Sequence, residues 1–116
     1  LRTIAMPEDT NPAGDIFGGW LMSQMDLAAF ARSCEFTGQR TVTAAVREMT
    51  FRKPVKVGDT VVIYTSIVKT GRTSITLAVE SWRRHRRSAP ELVTEATFVL
   101  VAVDEAGNPS PWLAAA

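Results

Sequence analysis

Asp15 is the residue best placed for chemistry in this sequence, because two glycines and the start of a predicted helix follow it closely. The first turn of a helix leaves backbone N–H groups without partners, and the helix dipole makes this end positive. Gly18 and Gly19 have no Cβ atom, so a ligand can approach these amides closely. The amides from Gly18 to Trp20 are therefore candidates for binding an oxyanion that develops on a carbonyl. Asp15 beside them could activate water as a general base or attack the carbonyl itself.

The same loop also has a structural interpretation. An aspartate just before a helix commonly caps the helix or its turn, and Asp15 fits that role. Asn11 could orient water or a carbonyl from this loop, and it is equally well explained as a turn residue. From these residue types alone, both interpretations stay open.

Two further side chains lie within the predicted helix. Asp26 is surrounded by apolar residues, and a carboxylate at such a position requires a partner, which Gln24 or Arg47 could supply. We therefore expect a structural role for Asp26. Cys34, the one cysteine, is predicted to be a buried thiol. A single cysteine excludes a disulfide within the chain and fits a reducing cytoplasm, which is the predicted location.

His85, the only histidine, lies among the four arginines Arg83, Arg84, Arg86 and Arg87. Their charge disfavours its protonated form, and no second metal-ligand type lies at a suitable spacing. We therefore expect no metal site. The sequence also lacks a histidine placed for serine-type catalysis and lacks the glycine patterns of nucleotide-phosphate loops, so no organic cofactor is expected.

Positive charge is clustered, although the net charge is only +1. That balance gives no argument for a nucleic-acid partner. The clusters are Arg83 to Arg87, the pair Arg52 and Lys53, and Lys69 with Arg72. They are explained either as solvated loops and guarded strand edges or as contacts for phosphate groups.

The elements that must position these residues are one helix and a set of strands. The helix is predicted from about Gly18 to about Glu35, with Gly38 closing its end. Its polar residues fall all around the helical wheel, so we expect the rest of the chain to cover it on every side. Strands are predicted over Arg2 to Met6, Thr41 to Phe51, Thr60 to Lys69, Thr73 to Arg83 and Leu92 to Val103, with a tight turn at Thr70 to Arg72 and a loop from Arg84 to Pro90.

Length and composition indicate one globular domain spanning residues 1–116, with 46% hydrophobic and 22% charged residues. No apolar run approaches the roughly 20 residues that cross a bilayer, so no membrane partner is expected. One helix followed by antiparallel strands predicts an α+β fold in which a curved sheet surrounds the helix. A single copy would leave the Asp15 loop and one sheet edge open, and we therefore expect self-association.

The motifs along the chain closely resemble those of hotdog-fold acyl-CoA thioesterases of the YciA type. The most specific stretch runs from Gly14-Asp15-Ile16-Phe17-Gly18-Gly19-Trp20 to Met22-Ser23-Gln24-Met25-Asp26. Further matches are Arg2 to Pro7, Asp9-Thr10-Asn11, Met49-Thr50-Phe51, Pro54-Val55, Val57-Gly58-Asp59, Gly71 to Ser74, Glu95-Ala96, Phe98 and Val101 to Asp104. The resemblance covers nearly the whole chain.

This resemblance implies an antiparallel β-sheet wrapped around one long central α-helix, a homodimer as the minimal active unit and often a hexameric trimer of dimers. It implies hydrolysis of acyl-CoA to a free acid and CoA, within fatty-acid metabolism and without metal or organic cofactor. The residue matching Asp15 is the catalytic carboxylate in that family, and those matching Gly18 and Gly19 polarise the thioester carbonyl. CoA lies along the subunit boundary there, so its phosphates and pantetheine arm are expected to contact Arg52, Lys53, Lys69, Thr70, Gly71, Arg72, Thr73 and Ser74.

Three departures from the family pattern concern substrate preference more than the reaction. Lys53 stands where arginine is usual, Arg47 stands where an acid is frequent, and the loop from Arg84 to Pro90 is unusually basic. Two alternatives to hydrolysis stay open. One is a non-catalytic acyl-CoA-binding module that senses its ligand. The other is a hotdog dehydratase, which usually needs a histidine beside its carboxylate.

Overall fold

The fold consists of five antiparallel strands and one long helix, in a computed structural model that describes residues 1–112. In chain order the elements are β1 (Arg2–Ile4), a short 3₁₀ helix (Pro7–Asp9), α1 (Gly18–Thr37), β2 (Thr41–Phe51), β3 (Thr60–Thr70), β4 (Ser74–Arg84) and β5 (Glu91–Ala102). The strand order in the sheet is β1-β3-β4-β5-β2, so β1 and β2 are the two edges. The predicted α+β class is confirmed.

Helix α1 begins where it was predicted and continues two residues beyond the predicted end. Gly38 ends it in the left-handed conformation with φ 73°, which glycine adopts without a Cβ penalty. Leu21, Met25 and Ala29 bury one face of the helix against the sheet.

The opposite face of α1 is open, and this corrects the expectation that the chain covers its helix on every side. Met22, Leu27 and Phe30 expose 39%, 53% and 42% of their surface. The sheet can cover only one side because its five strands form a single curved layer. The apolar residues on the far side of α1 are therefore available to another molecule.

Strand β4 shows the sheet's two faces most clearly. Ile75, Leu77 and Val79 are fully buried beneath α1, as their alternation predicts. The even-numbered residues of β4, including Trp82 and Arg84, lie on the outer face of the sheet. Phe98 and Leu100 of β5 complete the buried layer.

Strand β2 has the predicted bounds, but its pairing with β5 is irregular. Its register against β5 shifts between Thr43 and Ala45 and again between Arg47 and Thr50. Glu48 takes the left-handed φ of 55°, which marks the second irregularity. Such bulges twist a strand, and here they fall on the long, exposed edge of the sheet.

Strands β3, β4 and β5 agree with prediction to within one residue at each end. The main exception is β1, which ends at Ile4 rather than Met6 because Ala5 already bonds the backbone of Asp59 in the next loop. In the part of the chain described here, α1 lacks the apolar length that a membrane-crossing helix needs.

Candidate active site

The loop before α1 is folded around the side chain of Asn11. Its Oδ1 accepts hydrogen bonds from the backbone amides of Ala13 at 3.0 Å and Asp15 at 3.1 Å. The backbone amide of Asn11 donates to the Asp15 carbonyl at 2.8 Å, and that of Gly14 donates to the Asn11 carbonyl at 2.9 Å. Asn11 therefore holds Asp15 in place, and within residues 1–112 its side-chain NH₂ group has no hydrogen-bond acceptor.

Asp15 does not cap the helix. The N-cap position belongs to Phe17, and no side chain bonds the first turn of α1. Asp15 is exposed, and within residues 1–112 its carboxylate makes no hydrogen bond or ion pair. A bridge between Thr10 and Ile16, with the Phe17 amide donating to the Asp9 carbonyl at 2.8 Å, closes the loop on either side. The capping interpretation is therefore wrong, and the carboxylate is free for other chemistry.

The backbone donors at the start of α1 are fewer than predicted. The Trp20 amide donates to the Phe17 carbonyl at 3.0 Å, and the Leu21 amide donates to the same carbonyl at 3.3 Å. Trp20 is thus removed from the predicted set of oxyanion donors, because its amide already closes the first turn. The amides of Gly18 and Gly19 have no acceptor within residues 1–112. They are the two donors that a substrate carbonyl could reach.

Two aromatic rings lie over these glycines. A Cβ atom built on Gly19 would meet the Phe17 ring at 2.6 Å, a distance that real side chains do not reach. A Cβ on Gly18 would meet the Phe51 ring at an ordinary 3.7 Å. A side chain at position 19 would therefore require the exposed Phe17 ring to move.

A cleft of about 320 Å³ opens beside these rings at the start of α1. Ile16, Phe17, Leu21 and Phe51 line it with apolar surface, while Arg52 and Lys53 line it with positive charge. Apolar walls with a few polar groups are typical of small-molecule sites.

The two cations of this cleft are already paired with carboxylates. Arg52 bonds Glu95, and Lys53 lies 2.7 Å from Glu91. The Lys53 ammonium holds the pKa of the half-buried Glu91 carboxyl below its ordinary value. A phosphate that binds Arg52 or Lys53 would compete with these carboxylates.

The predicted CoA-binding turn lies at the other end of the molecule. Gly71 donates to the Ser74 carbonyl at 2.9 Å, and the Thr73 carbonyl accepts from Ala102 at 2.8 Å beside the end of β5. This is the end where Thr41 of β2 bonds Ser33 near the C-terminus of α1. Twenty helical residues span roughly 30 Å. One chain therefore does not bring the segment from Lys69 to Ser74, which includes Thr70 and Arg72, to Asp15.

A buried ionic network at the base of the β4–β5 loop was missed by the sequence analysis. Asp59 is fully buried and bonds the Lys56 amide at 2.8 Å, the Arg83 guanidinium at 3.3 Å and His85 Nδ1. Burial raises the pKa of Asp59, but these three hydrogen bonds outweigh it and hold that pKa below its ordinary value. Arg83 also contacts Glu91 at 3.4 Å.

This network corrects the interpretation of His85, whose ring bonds a carboxylate rather than lying among cations alone. Asp59 and His85 are 26 positions apart in the sequence, so no local sequence pattern indicated their contact. The Asp26 carboxylate accepts a hydrogen bond from the Thr43 hydroxyl, and this bond joins α1 to β2. Neither of the predicted partners, Gln24 and Arg47, forms a hydrogen bond with it. Cys34 is half-buried, with its thiol 3.5 Å from the Thr41 hydroxyl. Across residues 1–112, no three His, Cys, Asp or Glu side chains are grouped as metal ligands.

Comparison with known proteins assigns the family. The thioesterase superfamily model matches residues 13–89, which include the Asp15 loop, α1 and β2 to β4. The acyl-CoA thioester hydrolase YciA of Salmonella typhimurium is 50% identical over 115 residues, covering 96% of this chain and 86% of that protein. The chain therefore belongs to the thioesterase superfamily, and the YciA-type resemblance is confirmed.

Solved structures agree on the fold. The hexameric thioesterase of Yersinia pestis superposes with a TM-score of 0.93 at 51% identity, covering 97% of this chain and 92% of that one. The hexameric hotdog-fold thioesterase of Campylobacter jejuni gives a TM-score of 0.91 at 39% identity, covering 97% and 87%. The predicted hotdog fold is confirmed. The prediction of an acyl-CoA thioester hydrolase agrees with the name of the Salmonella protein.

Proposed function

We propose that this protein hydrolyses acyl-CoA thioesters to a free carboxylic acid and CoA. The observation that carries the proposal is the unpaired Asp15 carboxylate, which Asn11 holds in the loop three residues before the free amides of Gly18 and Gly19. Hydrolysis of a thioester needs a base or nucleophile and a donor for the carbonyl oxygen, and these groups supply both. The names of relatives that cover nearly all of this chain support the same activity.

In the proposed reaction, the thioester oxygen accepts hydrogen bonds from Gly18 and Gly19. Asp15 takes a proton from water as the water oxygen bonds the carbonyl carbon, and negative charge collects on the carbonyl oxygen. Collapse of this intermediate breaks the carbon–sulfur bond, and the CoA thiolate leaves and receives the proton. In the alternative route, Asp15 itself attacks, releases the thiolate and forms a mixed anhydride that water opens. Both routes use the Asp15 carboxylate and the amides of Gly18 and Gly19.

We further propose that the complete site needs two chains joined through β2. This strand is an 11-residue open edge, and its Val42, Val46 and Phe51 side chains are exposed. A two-fold axis would pair two β2 edges antiparallel, so that the Thr41 end of one chain lies beside the Phe51 end of the other. The partner's Lys69–Ser74 turn would then approach the Asp15 end of the first chain.

In this arrangement, each part of acyl-CoA would lie against one set of the predicted contact residues. The acyl group would lie against Phe17, Leu21 and Phe51 in the cleft, and Arg52 with Lys53 would meet phosphate oxygens at its mouth. The pantetheine arm would follow the partner's turn. Both solved relatives are hexamers, which supports a trimer of such dimers.

A dehydratase would need a histidine beside the Asp15 carboxylate. The one histidine, His85, is instead bonded to Asp59, so the dehydratase alternative is not supported. The sensing alternative predicts binding of acyl-CoA without release of thiol. A colorimetric thiol assay over short, medium and long acyl-CoAs therefore distinguishes sensing from hydrolysis and measures chain-length preference at the same time.

The direct test replaces Asp15 by Asn and compares it with Glu8→Gln, a change at an exposed acid of the neighbouring 3₁₀ helix. We expect Asp15→Asn to lower kcat by about 100-fold or more with an unchanged circular dichroism spectrum, since a positioned base contributes at least that much. Glu8→Gln should retain near-normal turnover. Near-normal CoA release by Asp15→Asn would refute the proposal.

A further inference from the structure

A second cleft, of about 590 Å³, opens on the outer face of the sheet, away from α1. Its floor is formed by outward residues of three adjacent strands, because Arg2 of β1 pairs with Val62 of β3 and Val62 pairs with Trp82 of β4. On either side of this row lie the pairs Thr60–Arg84 and Tyr64–Glu80. The loop residues Arg86 and Pro90 form one wall.

The cleft carries an excess of positive charge, with four arginines and one carboxylate among its lining residues. Arg2, Arg84 and Arg86 line it, and across residues 1–112 none of the three forms an ion pair with a carboxylate. The fourth arginine, Arg83, is already bonded to Asp59 and Glu91. Unpaired guanidinium groups that converge on one cavity are suited to phosphate oxygens.

The wall that presents these arginines is held rigidly. Buried Asp59 bonds both Arg83 and His85, and so fixes the residues on either side of Arg84. The Arg84 Nε donates to the Ser88 carbonyl at 3.1 Å, and the Ser88 hydroxyl donates to the His85 carbonyl at 2.6 Å. Arg86 takes the left-handed φ of 54°, an unfavourable conformation for a residue with a Cβ. Strain of this kind is often found at ligand sites.

The cleft also presents two aromatic residues, Trp82 and Tyr64, and one carboxylate, Glu80, at its far end. Trp82 is half-buried, and Tyr64 exposes 58% of its surface. Arg84, Trp82 and Glu80 follow one another at two-residue spacing on the outer side of β4, so the two ends lie roughly 13 Å apart. In order, the cleft offers cations, an aromatic platform and one carboxylate.

We propose that this outer cleft binds a nucleoside diphosphate whose base carries an exocyclic amine. The phosphates would bind Arg84, Arg86 and Arg2, the base would stack on Trp82 or Tyr64, and Glu80 would accept a hydrogen bond from the amine. The ligand has two sources with the same chemistry, a free nucleotide such as ADP or the adenosine diphosphate portion of CoA. This site is separate from the cleft at the start of α1, which is lined by Phe17, Gly18 and Phe51.

The test is calorimetric titration of the full protein with ADP at low salt, with adenosine, inosine diphosphate and CoA as comparison ligands. We expect Arg84→Gln combined with Arg86→Asn to weaken ADP binding by about tenfold per arginine. Asparagine tolerates the left-handed conformation, so the loop should keep its shape. Arg87→Gln is the matched control, because Arg87 is an exposed neighbour that does not line the cleft.

The comparison ligands test each part of the cleft. Adenosine should bind at least tenfold more weakly than ADP because it has no phosphate. Inosine diphosphate should bind severalfold more weakly because it lacks the amine. CoA binding that is weakened by the arginine variant identifies CoA as the source, and CoA binding that is not identifies the free nucleotide.

Two variants keep this proposal separate from the hydrolase proposal. Asp15→Asn and the turn variant Lys69→Glu with Arg72→Glu should both retain ADP binding at the outer cleft. The proposal is overturned if ADP does not bind, if Arg84→Gln with Arg86→Asn binds it as tightly as the unaltered protein, or if the turn variant abolishes binding. A second copy of the chain covering the outer face would give the first of these results.

Discussion

Asn11 and Asp15 form one unit at the residue scale, since the asparagine side chain holds the backbone of the aspartate. The sequence could indicate both residues but could not separate a turn role from a catalytic one for Asn11. The structure assigns the Oδ1 atom to the turn and leaves the NH₂ group without an acceptor in the described chain. The Oδ1 atom and the NH₂ group of the Asn11 side chain can therefore be tested by separate substitutions.

Substituting Asn11 by Asp and by Ala makes that separation. Asn11→Ala loses both loop hydrogen bonds, and we expect unfolding free energy to fall by about 1 kcal/mol and kcat to fall with it. Asn11→Asp keeps the acceptor, so thermal stability should be restored. If the NH₂ group binds water or substrate, kcat of Asn11→Asp stays low. Full activity in Asn11→Asp would mean that Asn11 serves the turn alone.

Asp59 is the second residue whose environment makes a measurable prediction. Its pKa is lower in the folded protein than the 3.8 of an ordinary aspartate. The stabilisation from its ionised form is therefore complete above that ordinary value and is lost as pH falls through the lower folded value. We expect Asp59→Asn to lower unfolding free energy by about 2 kcal/mol at pH 7.

The difference between Asp59→Asn and the unaltered protein should shrink as pH falls below about 4, because both then lack the charge. Urea unfolding at a series of pH values measures it, with Glu105→Gln in an exposed turn as the control. A difference that stays constant from pH 7 down to pH 2 would show that ionisation of Asp59 does not stabilise the fold.

The start of α1 makes the prediction at the scale of elements. Gly18 and Gly19 are adjacent and chemically identical, but only Gly19 faces a ring at 2.6 Å from a built Cβ. We expect Gly19→Ala to displace the Phe17 ring at a cost of about 0.5 kcal/mol, because that ring is exposed and can move. Gly18→Ala should fold normally, since its Cβ meets Phe51 at 3.7 Å.

Thermal unfolding of both alanine variants, alone and with Phe17→Ala, measures this. In the Phe17→Ala background the cost of Gly19→Ala should largely disappear, because the clashing ring is gone. An equal cost in both backgrounds would mean that Phe17 is not the reason for the glycine.

How far the elements could be predicted depended on whether their signals were local. The ends of α1 followed from the two glycines and Gly38, and the bounds of β2 followed from its neighbouring turns. The ion pairs of Arg52, Lys53 and His85 join positions dozens of residues apart, so no local pattern contained them. The amide of Trp20 was misassigned because only coordinates show which first-turn donors are already used.

At the scale of the whole molecule, the open edge of β2 and the open face of α1 give the same indication. Each exposes apolar residues that a second copy could cover, and this explains why α1 has no polar stripe although the chain covers one side. The sequence predicted that this helix must be covered, but it could not show that one chain covers only one side of it.

Charge placed on the β2 edge tests the assembly. We expect the double variant Val42→Lys with Val46→Lys to shift the protein toward monomer, as measured by light scattering. Pairing of two β2 edges would bury these ammonium groups without partners, and this cost disfavours the dimer. Thiol release should fall in parallel. Val57→Lys, at an exposed valine of a turn, is the control. An unchanged oligomeric state in this variant would show that the subunits do not associate through β2.

The central claim is that Asp15 of one chain acts on substrate held by the Lys69–Ser74 turn of another. Co-expression of Asp15→Asn with Lys69→Glu/Arg72→Glu, each chain carrying a different affinity tag, allows mixed dimers to be purified. If the claim holds, one site of each mixed dimer carries both defects and the other carries none, so about half of the normal kcat/KM returns. If all catalytic and binding groups came from a single chain, every site would be defective, and mixed dimers would be as inactive as the two parents.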